Sequence, residues 1–560
     1  MRKYWEFLFV LFFICCEGIV KGQSADSSIS SLVDSFDQVK PMKQQIVRPV
    51  GKAFTIKIAT QGDFDKLNSS ISDAINAGKR NIRIIIGNGT FHYRENHLLR
   101  RDERHPRVSI TIEGKKRTLL TSDEGALSVE KVIPNAWQEM KYADEQIEVV
   151  DEGKKLCRIP FSNSLTLEER ISKVQVTEWF RAPVYDVEKI DGNEICFVAS
   201  DLQTVNINGR KGYNVNYDFL YRQMKPRFRL YDGSRERRCC AARWLCLERC
   251  SYKLVCLKNL HFVSNKAGGP LMTLGDVKAE SISFIGCSFE YIRGTVLSAS
   301  ATENIIFDKD IVRHTAGDEL RFLSNCENVR VTNNLFENNG ENISNSFCVN
   351  CREATYYIAH NTFRDFGYGA IGVGVWHGFE KKCPSRGIIE HNEIYFSPEY
   401  FSNAWQHMLM DSGAIYTWTQ NDQVIIRYNY IHDYTGAGDN RGMFCDDGAN
   451  NLKIYRNVVT NIQNSYCIDS RYGKDQREGF TNNANNFMAQ NVVDGRVRFQ
   501  GYSGEIRHVV KGANYVVKGE KTIENKTENL EVNVEDVEVR EVKDVQKFKE
   551  FKKFKLKVKN

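Results

Sequence analysis

One six-residue pattern recurs along the second half of the chain: an apolar residue, two others, an asparagine, one residue, then a second apolar residue. It reads VTNNLF at Asn334, IAHNTF at Asn361, IEHNEI at Asn392, IRYNYI at Asn429, IYRNVV at Asn457 and MAQNVV at Asn491. The steps between these asparagines are 27, 31, 37, 28 and 34 residues. FIGCSF, with Cys287 in the asparagine place, is an earlier member, and IIFDKDIV leaves room for one more coil before Asn334. Each repeat holds two or three short β-branched runs separated by Gly, Asn and Asp, and is too short to close a core alone. Stacked coils solve both problems, because inward side chains meet those of neighbouring coils and parallel ladders satisfy the backbone. The pattern therefore predicts an all-β fold, a parallel β-helix over residues 255 to 510. An asparagine at one corner of every coil suits the left-handed backbone of a tight turn, and its amide can bond to the asparagines above and below. The uneven steps place loops of different length on one side of the stack.

Ahead of the repeat, Phe64, Leu67, Ile71, Ala74 and Ile75 form the apolar face of a helix that ends at Gly78, and IRIIIGNGTF then reads as a buried strand and a turn. Such a helix covers the open end of a solenoid, which otherwise exposes strand edges. VQVTEWFRAPVYDVEKIDGNEICFV alternates like antiparallel strands, with DGNE as the turn. The chain thus divides into a signal peptide (1–22), an N-terminal cap with the first coils (45–130), a β insertion (131–235), the main parallel β-helix (236–510) and a charged C-terminal segment (511–560).

Composition narrows the function. Arg2 and Lys3, the apolar run from Phe7 to Cys16, and the small residues Val20 and Gly22 make an export signal cleaved before Gln23. No other run is long and apolar enough to span a bilayer, so the expected location is periplasmic, cell-surface or secreted. The net charge is only +6, and much of the basic excess sits in KFKEFKKFKLKVKN at the end, which argues against nucleic acid as the partner. Of 16 cysteines, 14 follow the signal. Their spacing matches no zinc site, and they read best as small buried hydrophobes.

The helix with IIIGNGTF, the Asn-marked coils and the long N-terminal insertion resemble the pectate-lyase-like superfamily of right-handed parallel β-helices. Within it, DSGAIYTW from Asp411, NYIHD from Asn429 and GMFCDDGA from Gly442 resemble β-helix glycoside hydrolases acting on plant polysaccharides, the xylosidase- and fucosidase-like members among them. WFRAPVYDVEKIDGNEI resembles their inserted β segment. Ser412 stands where that pattern has a glycine, and YDFLYRQMKPRFRLYDG fits it poorly. The resemblance implies hydrolysis of a polysaccharide or oligosaccharide with no cofactor, and nominates Asp411 with Asp446 or Asp447 as the catalytic carboxyls.

The strands after each Asn corner can also be aligned directly. One alignment sets Trp418, Asp446 and Asp469 in register on the outer face of three consecutive coils, about 4.8 Å apart. A one-residue slip turns Asp447 outward instead. Asp411 lies about 20 Å along the strand from Asp446, unless the chain before it folds back. Asp446 with Asp469 is the rival pair. Tyr416 and Trp418 suit a sugar-stacking platform; Asp469, Arg441, Arg471, His377 and His407 suit hydroxyls or a uronate carboxylate. Two other functions stay open. A polysaccharide lyase would neutralise a uronate, with calcium held by Asp446, Asp447 and Asp469 and Arg441 or Arg471 as base. A non-catalytic glycan-binding solenoid would need neither.

Overall fold

The computed structural model describes residues 31–500, chiefly excepting 123–130, 140–147, 161–170, 178–183, 200–202, 215–226, 233–242, 264–269, 341–345, 375–384, 399–411, 419–420, 435–439, 447–448, 463–464, 472–485 and a few shorter stretches. Beyond 500 it describes 510–511, 515–516 and 523–525. The expected signal peptide and most of the charged C-terminal segment lie outside these residues.

Three long parallel sheets of 13, 12 and 12 strands run the length of the molecule, and each coil gives one short strand to each sheet. One coil, for example, supplies Ala354–Ala359, Thr362–Phe366 and Gly369–Val373; the next supplies Ser385–Glu390, Glu393–Tyr395 and Ser412–Thr417. The fold is a right-handed parallel β-helix. Its strands are short because each must end where the coil turns, and Gly, Asn and Asp mark those ends.

The helix Leu67–Asn76 buries Leu67, Ile71 and Ala74, with Phe64 from the preceding short helix Gln61–Asp65. Thr60 and Asp63 form a reciprocal cap at the start of that helix, which fixes where the chain leaves strand Phe54–Ile58. Strand Asn81–Ile86 lies between Phe54–Ile58 and Arg104–Gly114 in the first sheet. A separate seven-stranded antiparallel sheet is built from strands between Lys131–Glu139 and Arg227–Asp232, with Asp191 paired to Glu194. The coils resume at Leu245–Glu248, and short strands at 510–511, 515–516 and 523–525 add one further rung to each sheet.

Inward side chains form files along the stack. In the third sheet Val349, Ile371, Ile415, Met443 and Ile468 are successive register partners, all within the main core. The eleven described cysteines are buried and unbridged, several among these apolar neighbours.

The six asparagines form a continuous internal ladder from Asn334 to Asn491. Each Nδ2 donates to the Oδ1 of the next asparagine at 2.9 to 3.0 Å. The same Oδ1 also takes the backbone N–H of the asparagine before it. Every member is fully buried, so the ladder satisfies polar groups that water cannot reach. The expected left-handed turn is present, but one residue earlier: His360, His391, Tyr428, Arg456 and Gln490, each just before a ladder asparagine, have φ of 54 to 59°. The asparagine is spared for the interior because its neighbour takes the turn. Asp310 fills the ladder place in the coil near IIFDKDIV; its N–H donates to Asn334 Oδ1 at 2.8 Å, and its own Oδ1 accepts from Cys287 N–H at 2.6 Å.

A strap from the N-terminus covers the outer face of the first sheet. Val33 is buried there with Ile388, Ile425, Tyr455 and Phe487, and Phe36 packs edge-on to Phe487 at 5.1 Å. Arg427 holds the strap through the carbonyls of Phe36 and Val39, both at 3.1 Å, while Asp37 bonds Tyr428 at 2.7 Å and pairs with Arg456. Arg330 donates to the Met42 carbonyl at 2.7 Å, four strands before the strand of Tyr455 in the same sheet.

Candidate functional site on the outer face of the third sheet

The motif region lies on the third sheet. Ser412–Thr417 pairs with Asn440–Cys445, and the ladder continues through the Asp446 N–H, which donates to the Thr417 carbonyl at 2.9 Å. Alternation turns Ile415, Thr417, Met443 and Cys445 inward and leaves Tyr416, Trp418, Phe444 and Asp446 on the outer face. Trp418 and Asp446 are thus in register, as the alignment expected. Asp469 is not: it pairs with Phe444, two positions earlier, on the same face. The alignment assumed that the conspicuous acids matched. A two-position shift keeps every side chain on its own face, so alternation alone could not separate the two registers; the structure pairs Met443 with Ile468.

The two described acids have different surroundings. Asp446 is half-buried and accepts the Tyr416 hydroxyl on Oδ2 at 2.5 Å. Asp469 is fully buried and paired with the equally buried Arg441, Nε to Oδ2 at 2.5 Å. Arg441 lies over the Phe444 ring, with its guanidinium carbon 3.9 Å from the centroid. Removing either member of the Arg441–Asp469 pair would remove a buried partner charge from the other.

Tyr416 and Trp418, expected as an exposed platform, are only 3% and 7% exposed. They belong to a five-ring cluster with Phe347, Tyr368 and Phe444, separate from the internal core. Tyr416 packs against Trp418 at 4.6 Å and edge-on to Phe444 at 4.7 Å; Phe347 meets Trp418 edge-on at 5.3 Å. Two glycines make room. A Cβ on Gly372 would come within 2.9 Å of the Phe347 ring, and one on Gly413 within 2.7 Å of Phe444 Cβ.

Asp411, Asp447, His377 and His407 lie outside the described residues. Arg471 ends strand Tyr466–Arg471, one place past Ser470, the partner of Cys445. Ser412 pairs with Asn440, so Asp446 stands six positions further on, about 20 Å along an extended strand. His432 stacks on Tyr395 and Tyr430 on the second sheet and bonds Asp433 at 2.7 Å, away from this face.

The same face carries residues that the motif did not reveal: Asn350 and Arg352 two rungs before Trp418, and Asp318 and Arg321 three rungs before it. Asp318 accepts the Phe347 N–H at 2.7 Å and the Asn350 amide at 3.2 Å. Burial raises its carboxyl above the usual range, against the pull of these donors and of Arg321 and Arg352. No repeat signal marks these positions; only strand register brings them beside the rings.

Comparison with known proteins gives only distant likenesses. No protein-family model matches the sequence, and no curated protein matches it. Among solved structures, the chain is similar to a glycoside hydrolase at 9% identity and TM-score 0.34, over 84% of this chain and 94% of that one. It is also similar to the Gp54 tailspike of Acinetobacter baumannii bacteriophage AP22, in complex with A. baumannii capsular saccharide. That match has 9% identity and TM-score 0.25, over 84% and 76% of the two chains. The tailspike gp49 of Pseudomonas phage LKA1 follows, with 10% identity, TM-score 0.19 and coverage of 82% and 74%. The likeness is one of fold. It assigns no residue role and no substrate.

Proposed function

We propose that this protein hydrolyses glycosidic bonds of a polysaccharide or oligosaccharide on the outer face of the third sheet, with Asp446 as one of two catalytic carboxyls. The observation that carries this reading is the setting of Asp446: a half-buried acid in register with Trp418 and bonded to the Tyr416 hydroxyl. Aromatic rings with a few placed polar groups are the usual lining of a ligand site, and glycoside hydrolysis needs a second carboxyl roughly 5–9.5 Å from the first. Asp469 is a poor second acid because it is fully buried and ion-paired with Arg441. Asp411 or Asp447, nominated by the motif, is the partner in this proposal; because Ser412 lies about 20 Å along the strand from Asp446, Asp411 serves only where the chain before it folds back over the face.

The test is the release of new reducing ends from a panel of plant and bacterial glycans. Asp446→Asn should lower turnover by about 10²–10⁴-fold. Asp411→Asn or Asp447→Asn should do the same for whichever residue is the partner. Products that absorb as unsaturated uronates would replace hydrolysis with β-elimination; glycan binding with no cleavage would leave a binding solenoid. Export belongs to the same proposal: the mature protein should begin at Gln23. No described helix is long and apolar enough to cross a membrane.

A further inference from the structure

Arg321 and Asn350 are register partners, and Arg352 follows Cys351 at the end of the same strand, its N–H donating to the Phe322 carbonyl at 2.8 Å. Continuing the ladder places Arg352, Gly374, Trp418 and Asp446 in one outward file over three rung steps, about 14 Å. The glycine matters: Gly374 has φ +97°, and a Cβ there would stand 2.8 Å from the Trp418 carbonyl oxygen. The floor between Arg352 and Trp418 therefore carries no side chain. The Arg352 guanidinium carbon lies 5.9 Å from the Trp418 ring centroid.

The charges here do not balance. Two guanidinium groups face one carboxylate, Asp318. Arg321 Nε lies 3.4 Å from Asp318 Oδ2, while the other Asp318 oxygen takes the Phe347 N–H. Arg352 makes no ion pair within 4.0 Å among the described residues; its Nε donates to the fully buried Asn350 Oδ1 at 3.4 Å. A partly buried guanidinium beside a like charge is costly, and a planar anion that bonds both of its terminal nitrogens relieves that cost. Burial first, and then the Arg321 charge, pull the Arg352 guanidinium below its ordinary value, while Asp318 opposes them.

We propose that Arg352, backed by Arg321, forms a subsite for an anionic substituent, a carboxylate or a sulfate ester, on the glycan that reaches Asp446. This rests on the glycan reading above and adds a substrate class: acidic rather than neutral sugars. Arg352 acts as a specificity residue and takes no part in bond cleavage.

The test measures binding by calorimetry to the full chain carrying Asp446→Asn, at low and at physiological salt. The probes are oligogalacturonate, sulfated dextran oligosaccharides and neutral xylo-oligosaccharides of equal length. An acidic probe should bind at least about ten-fold tighter than the neutral one, with the advantage shrinking in salt. Whichever acidic probe binds names the substituent. Arg352→Gln should abolish that preference and leave neutral binding unchanged; Arg352→Lys should keep part of it. If Arg352→Gln lowers the melting temperature, Arg321→Gln, at the more exposed arginine, serves as the second variant and should weaken the preference in the same sense. Acidic probes binding no tighter than neutral ones, or a preference that survives both Gln variants, would overturn the proposal. Acidic binding through Arg352 without cleavage by the unmodified chain would keep this subsite and remove the hydrolase reading. Cleavage of neutral glycans that Arg352→Gln leaves unchanged would do the reverse.

Discussion

Asp310 occupies the place that asparagine fills in every later coil of the ladder. Burial holds its carboxyl well above the usual range, and Oδ2 has no hydrogen-bond partner among the described residues. Protonated, this acid mimics the neighbouring amides, with Oδ2 where they present Nδ2. Because the folded value lies above the unfolded one, its contribution is complete below about pH 4 and is lost as pH rises through the folded value. Glu319 behaves alike: it is buried, raised by burial, and accepts the Thr315 hydroxyl at 2.6 Å. Asp310→Asn should therefore raise stability near neutral pH by about 1 kcal/mol and flatten its fall as pH rises above about 4, read from thermal melts across a pH series. At this scale the sequence was partly legible. Spacing alone left room for one more coil near IIFDKDIV, but did not show that Asp310 takes the ladder place in it. The left-handed positions were not legible, because His360, His391, Tyr428 and Arg456 lack the Gly or Asn that usually signals such a backbone. Asp469 was misplaced by two positions because the choice went to matching acids, and a two-position shift keeps each side chain on its face, so the hydrophobic pattern could not correct it.

A coil is stable only through its neighbours, and the ladder is where neighbours are coupled through polar groups. Asn392 shows the stakes. Its Oδ1 accepts both the N–H and the Nδ2 of Asn361, and its Nδ2 donates to the Ile358 carbonyl and to Asn429 Oδ1. Asn392→Ala would leave buried groups unsatisfied on both sides, at about 1–3 kcal/mol each. We expect a loss of about 3 kcal/mol by denaturant titration, larger than for the same change at an exposed strand position. The outer face of the third sheet was legible only where the motif reached it. Tyr416, Trp418 and Asp446 were found from GAIYTW and GMFCDDG. Phe347, Asp318 and Arg352 were not, since they join that face by pairing across coils and carry no local pattern.

A stack held by nearest neighbours alone would fray from its ends. The strap at residues 33–42 adds a tie that skips coils, from the strand of Phe487 back to the strand of Arg330, about 24 Å. No repeat announces it; Val33, Phe36 and Asp37 gain their meaning only from the outer groove they meet. Replacing Phe36 and Asp37 together by alanine should cost about 2–4 kcal/mol. Hydrogen exchange should then show strands Leu452–Tyr455 and Phe487–Ala489 losing protection first. The strap starts at Val33, ten residues past Gln23, so cleavage before Gln23 would leave it intact. The same stacking that lets a strap cross several rungs also gathers Arg352, Trp418 and Asp446 into one file from three separate parts of the chain. The most direct check on that file is a product assay with the unmodified chain and Asp446→Asn on acidic oligosaccharides. Hydrolysis at this face requires new reducing ends without unsaturated-uronate absorbance, cut at least 100-fold by Asp446→Asn while binding persists. Full turnover in Asp446→Asn, or an absorbing product, would contradict it.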